Sequence, residues 1–135
     1  CRISLESINR MSKLAVQQKK QFVVVLILTK ELVFKELVQD PTPNYRALIR
    51  NEEQLWKTTK EFLIMHDIDF VDVLPSLQDQ LDSGIQPYKV NQDGHPNEHG
   101  HQAIAKLLYT KIQEKQISAQ MAGQGAPVGA RTSRP

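Results

Sequence analysis

At 135 residues the chain is long enough for one compact domain with one sizeable core. Its 40% hydrophobic and 24% charged residues fit a soluble globular composition. The net charge of +2, with Lys and Arg scattered along the chain, gives no electrostatic case for nucleic acid, and a single cysteine, Cys1, excludes an internal disulfide while leaving the compartment open.

The longest apolar run, residues 22–28, is seven residues long, whereas a membrane span needs roughly 20. The sequence therefore predicts no transmembrane segment. Cys1 stands where Met would start a chain, no apolar signal-peptide core follows it, and Arg2 argues against a lipoprotein cysteine. The expectation is a fragment whose upstream part lies elsewhere.

Ile3, Leu5, Ile8, Met11, Leu14 and Ala15 recur at helical spacing and predict an amphipathic helix of three to four turns. After a basic connection at 17–21, residues 22–28 (Phe-Val-Val-Val-Leu-Ile-Leu) read as a strand buried on both faces, being short, β-branched and unalternated. A short helix is expected at 32–38, ended by Asp40-Pro41-Thr42-Pro43. Residues 47–65 predict a long amphipathic helix, with Leu48, Leu55, Trp56, Thr59, Phe62 and Leu63 on one side. Residues 69–74 read as a second short strand, and Pro75 opens a helix that Ser83-Gly84 stops. A loop spans 84–96. Asn97 is placed to cap a last helix, with Glu98 in its first turn, running to about Gln116 on the apolar face of Ile104, Leu107, Leu108 and Ile112. Residues 118–135 turn to Gly, Ala, Pro, Ser, Gln and Arg and read as a disordered tail. The domain is thus expected over 1–117. Helix, strand, helix, strand, helix, helix implies parallel strands joined by a crossover, and two strands alone suggest the last part of a larger doubly wound sheet.

The chemistry concentrates in Asp93-Gly94-His95-Pro96-Asn97-Glu98-His99-Gly100-His101, where three histidines and two acids of nine residues precede a helix. Three readings are open. Asp-Gly, Pro96 and Asn97 can simply turn the chain and cap the helix. His95, His99 and His101 with Asp93 can be read as metal ligands, although Pro96 and Gly100 oppose one regular helix through His95 and His99. Or Asp93 can orient the His95 imidazole as an acyl-transfer base, since residues i and i+2 of an extended segment share a side. Such a loop, after the last strand, lies where open α/β sheets bind ligands. The following helix start favours neutral imidazole, and Asp93 stabilises the imidazolium formed later.

Asp-Gly-His-Pro-Asn-x-x-Gly-His followed by an apolar helix resembles the last block of SGNH/GDSL hydrolases. Residues 22–31, ending Thr29-Lys30-Glu31, resemble the strand and turn of a bacterial subgroup related to the alginate O-acetyltransferase-like proteins, and residues 70–74 the strand before the final block. The similarity runs over about 3–116. It implies the C-terminal part of a flavodoxin-like three-layer α/β/α fold and, in the full-length parent, hydrolysis or transfer of an acyl ester through a serine acyl-enzyme. Asp93 and His95 would be the catalytic acid and base, with no metal and no organic cofactor. The two-residue Asp93–His95 spacing matches the acetyltransferase-like branch, whereas Leu28 stands where relatives tend to have proline. The family's Gly-Asp-Ser block and its Gly and Asn oxyanion blocks do not occur in these residues; Ser83 is a helix stop. The rival expectation is a truncated or degenerate non-catalytic module.

The bland expectation holds for the other polar residues. Lys30 and Glu31 read as a solvated turn, Trp56 as core, His66 as a helix end, His99 and His101 as helix-start residues, and Asp69 and Asp72 as solvated or capping groups.

Overall fold

A computed structural model describes residues 2–89 and 94–124, with side chains through 117. The chain is mixed α/β and mostly helical: α1 (Arg2–Gln17), β1 (Val24–Leu26), α2 (Lys30–Val33), a 3₁₀ turn (Lys35–Leu37), α3 (Pro43–Met65), β2 (Phe70–Asp72), α4 (Leu74–Asp82) and α5 (Glu98–Gln124). The two strands pair in parallel, Val24 with Phe70, Val25 with Val71 and Leu26 with Asp72. None of the helices is long and apolar enough to cross a membrane, among the described residues.

Caps set most boundaries. Thr42 accepts from the Tyr45 amide at 3.2 Å and Pro43 occupies the first turn, so α3 begins four residues before the apolar periodicity that announces it. Thr29 caps α2 in the same way, accepting from Leu32 N at 3.4 Å, and its hydroxyl also donates to Glu52 of α3. The expected helix at 32–38 splits into α2 and the 3₁₀ turn. Ser83-Gly84 ends α4 as expected. Gly84, at φ 79°, lets Ile85 N donate back to Gln80 O at 2.8 Å. Helix α5 continues past Gln116 because Ala119, Gln120, Met121 and Ala122 are all good helix formers; residues 125–135 of the expected tail lie outside the described part.

The core gathers Leu32 and Val33 of α2, Val71 of β2, Val73, Leu74 and Leu77 around the start of α4, Tyr88, and Ala103 of α5. Ile49 and Trp56 of α3 pack against it. Asp69 and Asp72 show how helices flank the strands. Asp69 pairs with Lys111 (3.2 Å) and Lys115 on α5, whereas Asp72 reaches Trp56 and Lys60 on α3. Odd and even positions along a strand point to opposite faces, so α5 and α3 cover opposite faces of the pair.

The expectation of a β1 buried on both faces does not hold. Val24, Val25 and Leu26 are all half-buried, Ile27 is 53% exposed, and Leu55 on the neighbouring wall of α3 is 50% exposed. Val24 N donates to Asp69 O (2.9 Å) and Val73 N to Leu26 O (3.4 Å), so residues 24 and 26 face β2. Alternation turns the backbone groups of Val25 and Ile27 the other way, to an edge that no strand pairs among the described residues. A groove of about 250 Å³ runs along this edge, lined by Val25, Ile27, Leu55, Trp56 and Thr59.

Asp72 is more than a cap. Its carboxylate accepts from Trp56 Nε1 and Lys60 Nζ, both at 3.1 Å, and from Leu74 N at 3.3 Å, while Lys60 lies 3.5 Å from the Trp56 ring centre. One half-buried acid thus joins β2, α3 and α4. Asp72→Ala leaves these donors short of an acceptor and should cost about 1–3 kcal/mol, read as a lower urea midpoint with an unchanged slope. An unaltered midpoint would show the cluster to be ornamental.

Candidate active site at the end of β1

The segment singled out by its histidines is built in two layers. Tyr88 and Pro96 form an isolated antiparallel bridge, and Asn97 N donates to Pro87 O at 2.9 Å. The two arms of the loop are therefore clamped where they meet α5. Asn97 does the further work: its Oδ1 accepts from Gly100 N at 3.2 Å, capping α5 as its residue type suggests, and its Nδ2 donates to Gln86 O at 2.7 Å. Gln80 of α4 donates to His99 O at 3.2 Å, fixing the same turn from another side.

Gly100 is required by proximity. A Cβ there would stand 2.4 Å from Pro87 O and 2.8 Å from the Pro96 Cβ. The Asn-x-x-Gly spacing is thus accounted for locally: asparagine caps, and glycine three residues on lets the loop lie against the helix.

The second layer fastens the loop to the strand ends. Tyr88 is buried (1% exposed) and donates to Leu28 O at 2.7 Å, just past β1, with its ring edge-on to Phe34 at 6.3 Å. Lys30 Nζ donates to Lys89 O at 2.6 Å, so Lys30 is a strut between α2 and the loop, not the solvated turn residue its sequence context suggests. Tyr45 of α3 reaches Glu31 O at 2.8 Å. Sequence reasoning passed over Tyr88; the signal available was an isolated aromatic in a polar loop, which favours burial with its hydroxyl bonded.

His95 is exposed and sits one residue before the bridge. Asp93 lies outside the described residues, and with it the Asp93–His95 contact. His99 and His101 are exposed in the first turn of α5, as helix-start residues. Among the described residues no three His, Cys, Asp or Glu side chains group to hold a metal. His66 closes α3 and stacks at 4.2 Å on Phe62. Compared with family models, with curated proteins and with solved structures, the chain matches none.

Burial pushes the Tyr88 phenol up to about 12, with the charges of Glu31 and Glu52 adding to it. The unfolded phenol ionises near 10. Below that pH both states hold the proton and the stabilisation is complete. As pH rises from about 10 towards 12 the unfolded chain ionises first and the stabilisation is lost. Burial also raises the Tyr45 phenol, so phenolate absorbance should show two of the three tyrosines titrating late. Tyr88→Phe should remove the last of these steps, at about 12; that last step persisting in the variant would contradict the assignment.

Gly100→Ala tests the close approach. In a helix interior alanine normally gains up to about 1 kcal/mol over glycine. Here overlap with the Pro87 carbonyl should outweigh that gain, for a net loss of about 1–3 kcal/mol and a lower Tm. A raised Tm would mean that the loop yields freely.

Proposed function

We propose that this chain is the C-terminal part of an SGNH/GDSL-type serine esterase or acyltransferase acting on acyl esters, O-acetyl esters included. His95 is its general base and Asp93 the acid that orients it. The flavodoxin-like three-layer fold belongs to the same proposal; helices on both faces of a parallel pair, and the unpaired edge of β1, support it. The observation that carries the reading is the bond from Tyr88 to Leu28 O, which moors the His95 loop beside the C-terminal end of β1. Parallel α/β sheets receive ligands at that end.

In this reading a serine, supplied by a segment completing the sheet along the β1 edge, attacks the ester carbonyl while His95 takes its proton. The imidazolium then protonates the departing alkoxide, leaving an acyl-enzyme. Water or an acceptor hydroxyl, deprotonated by the same imidazole, attacks the acyl-enzyme carbonyl, and the imidazolium returns the proton to the departing serine oxygen. Asp93 keeps the imidazole in the tautomer that accepts at its outer nitrogen. No cofactor enters these steps.

The 135-residue chain alone should not turn over p-nitrophenyl acetate beyond the rate of free imidazole, because it brings no activated nucleophile. A protein expressed from the coding sequence extended upstream of Cys1 should carry a Gly-Asp-Ser block and turn the ester over, and His95→Ala should remove about 10³-fold or more of that activity. An upstream sequence without such a block, or activity indifferent to His95→Ala, would leave the chain as a non-catalytic module.

A further inference from the structure

One cleft among the described residues is lined by none of the His95 loop. It has a volume of about 520 Å³ and opens between the 3₁₀ turn and the first turns of α3. Pro41, Pro43 and Ile49 give it apolar walls, and the two prolines hold one wall in fixed backbone geometry. Tyr45 closes one side, its hydroxyl already engaged by Glu31 O.

The charges around it are unevenly satisfied. Lys35 is bound by Glu53 at 2.6 Å and by Glu36 at 3.6 Å, so both carboxylates of the lining are already paired with one ammonium group. That pairing raises the Lys35 pKa, chiefly through the Glu53 hydrogen bond. Arg46 and Arg50 also line the cleft, and neither guanidinium has an ion pair or side-chain hydrogen bond among the described residues. Four residues apart on α3, they lie on one helix face about 5–6 Å apart at Cβ. Two uncompensated forks beside an apolar wall form a receptor for an oxyanion attached to an apolar group.

We propose that this cleft binds a small organic anion, a carboxylate or a phosphate monoester with an apolar body, through Arg46 and Arg50. The volume falls within the usual range for small-molecule sites, roughly 300–1,000 Å³. The proposal is independent of any chemistry at His95.

Nuclear magnetic resonance titration of the whole chain tests it, with phenyl phosphate and benzoate as probes and inorganic phosphate as the bare ion. Phenyl phosphate should bind saturably with Kd on the order of 1 mM, shifting the amides of Tyr45 and Ile49. Benzoate binding comparably would indicate recognition of any such oxyanion, and phenyl phosphate binding alone would narrow the class to phosphate monoesters. Inorganic phosphate should bind at least about fivefold more weakly, because it forgoes the apolar wall. The double variant Arg46→Gln/Arg50→Gln, at two exposed positions and checked by circular dichroism, should weaken phenyl phosphate binding about tenfold or more. Lys57→Gln, elsewhere on α3, should leave it unchanged. No saturation by either organic probe, equal binding by inorganic phosphate, or an unaffected double variant would each overturn the proposal.

Discussion

Everything in this fold is arranged around a parallel ladder only three residue pairs long. Parallel strands need cover on both faces, and so short a pair has little stability of its own. The chain answers with α3 on one face and α5 on the other, and ties each to β2 with an acid: Asp72 to Trp56 and Lys60, Asp69 to Lys111 and Lys115. Among the described residues no strand pairs with β1 on the side away from β2. The backbone of β1 that faces away from β2 meets a groove instead of a strand, and the apolar residues beside it, Ile27 and Leu55, are about half exposed.

That asymmetry bears on function because the His95 loop is hung from the same strand. Tyr88 bonds the carbonyl just past β1, Lys30 bonds the carbonyl of Lys89, and Asn97 and Gly100 press the loop against α5. Several residues of the family-like block therefore serve the scaffold. Pro96 is in the bridge, Asn97 is the cap and Gly100 is the close contact. A block that served only to cap a helix would need Asn97 but not the Tyr88 anchor, and the anchor is what joins the loop to the strand end.

Charged side chains divide into two groups by what they do. Asp69, Asp72 and the Lys35–Glu53 pair join elements and are partly sheltered, where an ion pair is screened less than at the open surface. Arg46 and Arg50 have no ion pair among the described residues, although Arg50 stands one helical turn and Arg46 two turns from Glu53 on the same helix. Lys35 reaches across from the 3₁₀ turn and takes that carboxylate, so the guanidiniums are left to the cleft.

Local chemistry was legible without coordinates. The β-branched run marked β1, the apolar periodicities marked α1, α3 and α5, Asn97 announced its cap, and Gly84 announced the end of α4. Each of these depends on residues within a turn or two, where backbone sterics and capping act. Tertiary contact decided the rest. The sequence made β1 a strand buried on both sides, yet burial depends on a neighbour that no property of Val24 or Val25 can supply. It made Lys30 a solvated turn residue, but a carbonyl 59 positions away claims its ammonium group. Gly100 falls in the first turn of the expected last helix, and nothing near it in sequence shows that the Pro87 carbonyl comes within 2.4 Å of where its Cβ would stand. The residue types settled which local structures could form, because capping and backbone sterics act over a few residues. Which of their polar and apolar groups would be satisfied was settled only when the chain folded and distant segments came within a few ångströms.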